Sequence, residues 1–439
     1  MNSNFAHRAL LWAFIAVVVV FASVAVANTL IPGKSMKDYE LWHETGQRML
    51  HGDAIYPVKR TKFPFMYPPA AAALLAPVSV LGKTGIVVAL TAITGAAWFA
   101  SILLSVRLAT GSWSRQHLLL YALPSLCVVV FVWSNFHIGQ PSIVLLALLL
   151  GAFLALQTKR QMLAGALVAI AAGIKAFPFV AIVYLLYRRY WIAVASLIVT
   201  LALLLIVLPA PFRGFGQATA DLRRWTTGML LKYDDRGVAQ RPGRSNSWKN
   251  QSIFGLANRM LRNVDANEQF GPHNEIYVNV ADLSFSAVNR IIVGSGLLLG
   301  LSYLAVMPQR GARTRATDAI EFALFILLML MFTPLAFGYL FVCLLFPFTV
   351  LLARALQKPE RHLLMAGGLA VLLLLVTIPA QRPAQLYGNY FFASLSLFVG
   401  LALELWRLKR LTRASANGAP PDRSYPAEGE EQRDAKAHL

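Results

Sequence analysis

The chain has 439 residues, of which 57% are hydrophobic and 14% charged, with 40 Lys and Arg against 20 Asp and Glu. Soluble domains carry charge on nearer a quarter of their residues, and the long apolar blocks here are of a length that crosses a bilayer. The cations lie mostly in short loops between these blocks, which is what orientation in a membrane demands. The composition therefore excludes an ordinary soluble domain, and the net charge of +20 does not indicate a nucleic-acid partner.

The first apolar block, residues 10–27, is longer than the apolar region of a usual signal peptide. A cleaved signal is the alternative, but we predict an uncleaved first helix. The two cysteines, Cys127 and Cys343, both lie inside apolar blocks, so the sequence predicts neither a disulfide framework nor a zinc site.

We predict an all-α, polytopic membrane protein with about 12 crossings of the bilayer. Segment 68–82 is expected to re-enter without crossing, and segment 162–187 to form a hairpin of two short passes that turns near Lys175. The predicted spans are 9–30, 84–106, 116–133, 141–157, 162–173, 177–187, 190–209, 286–307, 317–333, 337–356, 362–380 and 387–408.

Short loops rich in Lys and Arg are expected on the cytoplasmic side, which places both termini inside. Two longer segments, 31–67 and 210–285, are then external. We assign residues 1–410 to a single membrane domain without a soluble subdomain, and residues 411–439 to a disordered cytoplasmic tail.

The first external loop contains the best candidate for catalysis. Asp38 opens a segment with Tyr39 and Trp42, which suit a helix at the membrane interface. An aspartate in this place can also be a plain helix N-cap. The loop continues with Gly52-Asp53-Ala54-Ile55-Tyr56-Pro57 and ends in Tyr67-Pro68-Pro69.

Several motifs together resemble the bacterial glycosyltransferase family 87 of the GT-C membrane class. They are the acidic residue after the first span, the Gly-Asp-x-x-Tyr-Pro and Tyr-Pro-Pro motifs, Gly139-Gln140-Pro141-Ser142, Lys175-Ala176-Phe177-Pro178 followed by Arg188-Arg189-Tyr190-Trp191, and Asn250-Gln251-Ser252. They occur in family order over roughly residues 30–350.

The resemblance implies a GT-C-like fold and an inverting transfer of a sugar, mannose in the best-known members. The donor would be a polyprenyl-phosphate sugar and the acceptor a glycolipid or envelope glycan at the external face of a bacterial inner membrane. The family's proposed general base maps to Asp38, and Asp53 is its rival, although Gly52-Asp53 also suits a turn.

Inverting transfer needs one base for the acceptor hydroxyl and cationic groups for the departing lipid phosphate. Lys175 is the strongest cationic candidate, because a lysine between two apolar passes is costly; snorkelling to the interface is the alternative. Further cations in the second loop are Arg241, Arg244 and Lys249, each of which can equally be a solvated loop charge.

The remaining candidates for substrate binding are Tyr67, His137, Gln140, Asn250 and Gln251. Gln140 matches the family motif, whereas His137 is supported by its position alone. We expect Asn250 and Gln251 either to contact sugar or phosphate or, alternatively, to cap the following helix, residues 253–260.

One segment departs from the family. Some members carry a histidine after a Ser/Thr-Pro near the late spans, where this chain has Thr333-Pro334-Leu335-Ala336-Phe337-Gly338-Tyr339. No acidic metal-binding pair is evident either, and we predict a reaction that needs no metal ion or other cofactor. A lipid-linked-sugar flippase or transporter is the alternative from another class, and a ligase that transfers a whole glycan is a third hypothesis.

Overall fold

The structure is a computed structural model that describes residues 3–31, 33–56, 64–231, 246–267 and 272–416. These ranges contain no β-strand, so the predicted all-α class is confirmed. Their α-helices, in chain order, are α1 Ser3–Leu30, α2 Asp38–Leu50, α3 Pro69–Ser79, α4 Gly82–Thr110, α5 Leu119–Ile138, α6 Ser142–Gln157, α7 Gln161–Ile174, α8 Ala181–Tyr187, α9 Trp191–Ala202, α10 Ala210–Trp225, α11 Ile253–Leu261, α12 Phe285–Val306, α13 Arg315–Phe332, α14 Leu345–Gln357, α15 Arg361–Leu375, α16 Thr377–Leu386 and α17 Asn389–Ala416.

The chain is a multi-pass membrane protein. Six of its described helices are long and apolar enough to cross a membrane, and the number rises to eight if each of two sharply bent helix pairs forms one span. The other apolar helices are shorter, among them α3, α6 and α7. The predicted count of about 12 crossings is therefore not confirmed.

Helices α1 and α4 pack side by side in opposite directions. The hydroxyl oxygens of Thr29 and Thr84 lie 3.0 Å apart at one end of the pair, and His7 Nε2 lies 3.3 Å from the Gln116 carbonyl oxygen at the other. Segment 31–81 therefore begins and ends on one face of the helix bundle. Helix α3 within it is one of the shorter apolar helices, and the expected re-entry of 68–82 without crossing stays a prediction. We call this face the upper face and the opposite one the lower face.

The predicted hairpin around Lys175 is present. Helix α7 ends where Lys175 takes an extended backbone conformation (φ −149°, ψ 130°). A 3₁₀ turn, Phe177–Val180, then leads into α8. Gln161, at the start of α7, and Tyr190, just after α8, line the same lower-face cavity, so Lys175 stands at the upper tip of the hairpin.

The core is built around α13, most of whose side chains are buried. The rings of Phe322 and Phe153 stack with centroids 4.2 Å apart. The preceding residue, Glu321, accepts hydrogen bonds from Arg188 Nε (3.2 Å) and Tyr184 (3.3 Å) in a fully buried cluster. Because an unpaired buried charge is very costly, this ion pair fixes α13 against the end of α8.

Two sharp bends place short helices over the upper face. The chain turns by 103° between Trp191–Val207 and Ala210–Gly228, and by 95° between α15 and α16. Arg213 of α10 forms a buried ion pair with Asp221 (2.9 Å) and also donates to the carbonyl groups of Gly52 and Asp53. These two hydrogen bonds bind residues 52 and 53 of the first loop to α10.

Candidate active site

Helix α2 is fixed across the upper end of α5. The Tyr39 hydroxyl donates to the Phe136 carbonyl oxygen and Trp42 Nε1 donates to that of Gly139, both at 2.7 Å. Gly139 ends α5 in the left-handed conformation (φ 86°), and a Cβ atom there would lie 3.0 Å from the Tyr39 ring. Burial raises the pKa of Tyr39 far above its ordinary value, so this hydroxyl remains a hydrogen-bond donor.

This anchoring brings Asp38, the first residue of α2, beside Gln140. Lys37, rather than Asp38, occupies the N-cap position, and it has a positive φ of 57°. The Gln140 amide nitrogen donates to the Asp38 carboxylate. The aspartate is thus not the helix N-cap that its sequence context allowed.

Gln140 also joins the carboxylate to a cation. Its side-chain oxygen accepts hydrogen bonds from the Tyr67 hydroxyl (3.2 Å) and from Lys175 Nζ (3.4 Å). The Gln140 side chain is almost fully buried, and its amide has one edge that donates and one that accepts. Four residues predicted from separate motifs therefore form one polar cluster on the upper face.

Lys175 lies between two aromatic rings. Its Nζ is 5.5 Å from the centroid of the Tyr67 ring and 5.0 Å from that of Tyr339, within the range of cation–π attraction. Asn135 Nδ2 donates to the Tyr339 carbonyl oxygen at 2.8 Å and fixes that residue. Tyr339 was missed as a site residue, although it belongs to the segment singled out for lacking a histidine.

Comparison with known proteins identifies the family. Residues 65–334 match the sequence model of Glycosyltransferase family 87. The chain belongs to glycosyltransferase family 87. Tyr67, Gln140 and Lys175 lie inside the matched range, whereas Asp38 and Tyr339 lie outside it.

Two relatives have the same name, polyprenol-phosphate-mannose-dependent alpha-(1-2)-phosphatidylinositol pentamannoside mannosyltransferase. The protein from Mycolicibacterium smegmatis is 30% identical over 281 residues, which are 62% of this chain and 58% of the relative. The protein from Mycobacterium tuberculosis (strain CDC 1551 / Oshkosh) is 31% identical over 215 residues, 48% of this chain and 44% of the relative. The matches thus span about half the length of these two relatives.

The Asn-Gln-Ser segment of this family 87 chain supports the loop that leads to Tyr339. Asn250 donates to the Pro334 carbonyl oxygen (3.1 Å) and accepts from the Ala336 amide (3.0 Å). Gln251 bonds Ala336 through its backbone (2.8 Å) and the Gln385 carbonyl oxygen through its side chain (2.6 Å). Both residues are fully buried, and Ser252 is the N-cap of α11. The hydrogen bonds described for Asn250 and Gln251 hold the backbone of Pro334, Ala336 and Gln385 in place. That these two residues contact sugar or phosphate stays a prediction.

Lys249 lies at a different cavity on the upper side. This cavity, of about 320 Å³, is lined by Trp248, Lys249, Asn267, His273, Asn274 and Arg382. Lys249 Nζ is 5.2 Å from the Trp248 ring centroid, and the Arg382 guanidinium is 6.0 Å from it. The cavity thus combines an aromatic wall with two cations, a combination suited to a sugar phosphate or an anionic headgroup.

Asp53 and His137 are the remaining predicted residues that the structure describes. The Asp53 side chain is exposed, and the backbone carbonyl oxygen of this residue accepts a hydrogen bond from Arg213. His137 stacks on Trp133 with centroids 5.3 Å apart, and its buried Nδ1 has no hydrogen-bond partner among the described residues. Arg241 and Arg244 lie outside the described residues. Within the described ranges no three His, Cys, Asp or Glu side chains group as a metal site would require.

Proposed function

We propose that the protein transfers a mannosyl group from a polyprenyl-phosphate donor to a glycolipid or envelope-glycan acceptor, with inversion at the anomeric carbon. The observation that carries this proposal is the Gln140 amide, which links the Asp38 carboxylate to the Lys175 ammonium. A base and a cation, held together at the upper ends of the helices, are what such a transfer requires. The names of the two relatives support mannose and a polyprenyl phosphate.

In this proposal Asp38 is the general base. Its carboxylate takes the proton of the acceptor hydroxyl as that oxygen forms a bond to the anomeric carbon. The bond from the anomeric carbon to the phosphate oxygen breaks on the opposite side of the sugar, and the polyprenyl phosphate leaves with the electron pair. Gln140 fixes the carboxylate, so that its position is set before the acceptor binds.

Lys175 neutralises the departing phosphate. The rings of Tyr67 and Tyr339 restrict the long lysine side chain, and a phosphate that is held by an ammonium group is a good leaving group without a strong general acid. The site then faces the side to which segment 31–67 belongs. By the charge rule this is the periplasmic side of a bacterial inner membrane.

The test is transfer of radiolabelled mannose from synthetic polyprenyl-phosphate-mannose by the purified chain in lipid, with an envelope lipid extract as acceptor. We expect Asp38→Asn to lower the rate about 100- to 10,000-fold, the usual contribution of a general base. Asp53→Asn is the matched control, because it makes the same change at an exposed aspartate of the same loop, and it should retain the wild-type rate.

If Asp53→Asn lowered the transfer rate and Asp38→Asn did not, Asp53 would be the general base instead of Asp38. If the wild type gave no product with mannosyl and other polyprenyl-phosphate donors, yet moved labelled donor across a vesicle bilayer, the flippase alternative would replace the transferase. The break at Lys175 is the feature that this alternative would use.

A further inference from the structure

A second polar cavity lies on the lower face, at the far end of the helices that carry the candidate active site. Its volume is about 340 Å³, and it is lined by Leu156, Gln157, Lys159, Gln161, Tyr190, Arg310, Arg313 and Asp318. Helix α6 begins two residues after Gln140 and ends at Gln157. With a rise of about 1.5 Å per residue, the two sites are separated by the length of this helix, about 24 Å, so the lower cavity does not belong to the reaction centre.

The lining of this cavity has an excess of positive charge. Lys159, Arg310 and Arg313 face a single carboxylate, Asp318. Arg313 Nε bonds Asp318 Oδ1, and another guanidinium nitrogen bonds the Tyr190 hydroxyl, both at 2.7 Å. Arg310 donates to the Arg188 carbonyl oxygen. These bonds fix the loop before α13 on the turn before α9. Because Arg313 pairs with Asp318, the positive charges of Lys159 and Arg310 are in excess.

Lys159 occupies a backbone position that favours glycine. Helix α6 ends in a Schellman motif, in which Arg160 N bonds Ala155 O (2.7 Å) and Lys159 N bonds Leu156 O (3.1 Å). Lys159 has a φ of 61°, where glycine is the usual residue. In the same turn Gln157 Nε2 is buried and has no acceptor among the described residues. A ligand oxygen in the cavity would satisfy this donor.

The rim of the cavity is apolar and exposed. Met162 directly follows the lining residue Gln161 and is 69% exposed, and Trp191 directly follows Tyr190 and is 61% exposed. Leu163 and Ile192 extend this exposed apolar surface along α7 and α9. A cationic pocket beside a lipid-facing surface suits a molecule with a negative head and hydrocarbon chains.

We propose that the lower cavity binds the phosphate headgroup of an anionic phospholipid, whose acyl chains lie along the exposed surface of α7 and α9. Arginine and lysine together recognise phosphate oxygens, and basic pockets between transmembrane helices take such headgroups. The site is independent of the sugar-transfer chemistry on the upper face, and it is a structural lipid site.

The test is native mass spectrometry of the purified full chain with equal amounts of phosphatidylglycerol and phosphatidylethanolamine. We expect wild type to retain phosphatidylglycerol preferentially. Each basic side chain near an anionic headgroup contributes roughly a fivefold preference. Lys159→Gly should therefore lower the ratio of the two lipids by about fivefold, and Lys159→Gly with Arg310→Gln by about 25-fold.

Arg189→Gly is a close control. Arg189 ends α8 in the same kind of turn, with a φ of 54°, and is exposed, but it does not line the cavity. Both glycine variants remove one charge and relieve the same backbone conformation, so neither is expected to unfold the chain. Arg189→Gly with Arg115→Gln is the control for the double variant.

The proposal fails if the control variants reduce the preference as much as the cavity variants, or if the cavity variants leave it unchanged. A third arm adds inorganic phosphate and glycerol phosphate at millimolar concentration. If these alone shift the thermal unfolding of wild type but not of Lys159→Gly, while no lipid preference exists, the cavity is a site for free phosphate and the lipid assignment is wrong.

Discussion

Gln140 donates a side-chain hydrogen bond to the carboxylate of Asp38, although the two residues are 102 positions apart in the sequence. The contact exists because Tyr39 and Trp42 fix α2 to the last carbonyl groups of α5. The Gly139 carbonyl oxygen of the Gly-Gln motif thus accepts one of the two bonds that hold α2, and the glutamine side chain of the motif contacts the proposed base. The motif therefore has a structural role and, in our proposal, a chemical one.

Replacing Gln140 by glutamate tests this contact. Two carboxylates would then face each other, and mutual repulsion favours the protonated form. We expect Gln140→Glu to lower the transfer rate at neutral pH at least tenfold and to move the acid limb of the pH–rate profile to higher pH. Gln47→Glu is the control, because Gln47 lies in α2 with Asp38 but donates to the Ser79 carbonyl oxygen (2.9 Å). An unshifted pH profile in Gln140→Glu would exclude a direct role of this amide at the base.

Tyr339 offers a test of how Lys175 is held. A cation over an aromatic ring gains about 1–2 kcal/mol when partly desolvated. Tyr339→Ala should therefore raise KM for the polyprenyl-phosphate donor by about 5- to 30-fold. Tyr339→Phe retains the ring and should differ little from wild type. Tyr387→Ala, at an exposed tyrosine, controls for loss of an aromatic side chain. Equal effects of Tyr339→Phe and Tyr339→Ala would point to the hydroxyl instead of the ring.

Much of the candidate site could be predicted because the resemblance to family 87 singled out Asp38, Gln140 and Lys175, and these motif residues stand at the ends of apolar segments. Asp38 follows the first span, Gln140 precedes α6 and Lys175 follows α7. Side chains at helix ends on one face can meet. The charge and hydropathy pattern was sufficient to place them on that face. The same pattern predicted the all-α class and the hairpin at Lys175.

The remaining features depend on contacts between distant segments. The contribution of Tyr339 follows from a 3₁₀ segment, Gly338–Leu344, that packs against α5, and no local pattern predicts that packing. Asn250 and Gln251 looked equally suited to binding a substrate, because an amide side chain serves a sugar or a backbone carbonyl equally well. The number of crossings is uncertain from sequence because helices such as α7 are shorter than a standard span.

The surroundings of Asp265 predict that the stability of the loop before α12 depends on pH. Burial raises the pKa of this carboxyl, but the amides of Ile276 and Asn267 (both 2.8 Å) and the His273 ring outweigh burial, and the pKa lies below its ordinary value. Because the pKa of Asp265 is lower in the folded loop than in the unfolded chain, its carboxylate stabilises the loop at pH values above the unfolded pKa of about 4. This contribution is lost as the pH falls through the pKa of the folded state.

We therefore expect protection of residues 263–267 and 272–283 from hydrogen exchange to persist from neutral pH to about 4 and to fall at lower pH. Asp265→Asn should be less protected already at neutral pH, by roughly 1–3 kcal/mol, and should show little further change on acidification. Asp282→Asn is the control, because the Asp282 carboxylate is exposed and accepts the Asn263 amide at 3.1 Å. A wild-type loop insensitive to acid would contradict the proposed contribution of Asp265.

Gly165 allows α7 and α9 to approach closely at the base of the Lys175 hairpin. A Cβ atom at this position would overlap the Ala193 carbonyl oxygen and lie 2.8 Å from the Leu197 amide nitrogen. Both are backbone atoms of α9, so the overlap can be relieved only by moving the helices apart. Small residues at such crossings are a general means of packing helices in membranes.

Gly165→Ala should accordingly destabilise the protein by about 1–3 kcal/mol, the usual cost of overpacking, measured by thermal unfolding in lipid nanodiscs. Gly294→Ala in α12 is the matched control, because a Cβ atom there has no neighbour within 4 Å, and the higher helix propensity of alanine should raise stability by up to about 1 kcal/mol. The two substitutions are chemically identical, so stability changes of opposite sign would show that the loss in Gly165→Ala comes from the packing of α7 on α9. Since α7 leads directly to Lys175, Gly165→Ala should also lower the transfer rate, whereas Gly294→Ala should not.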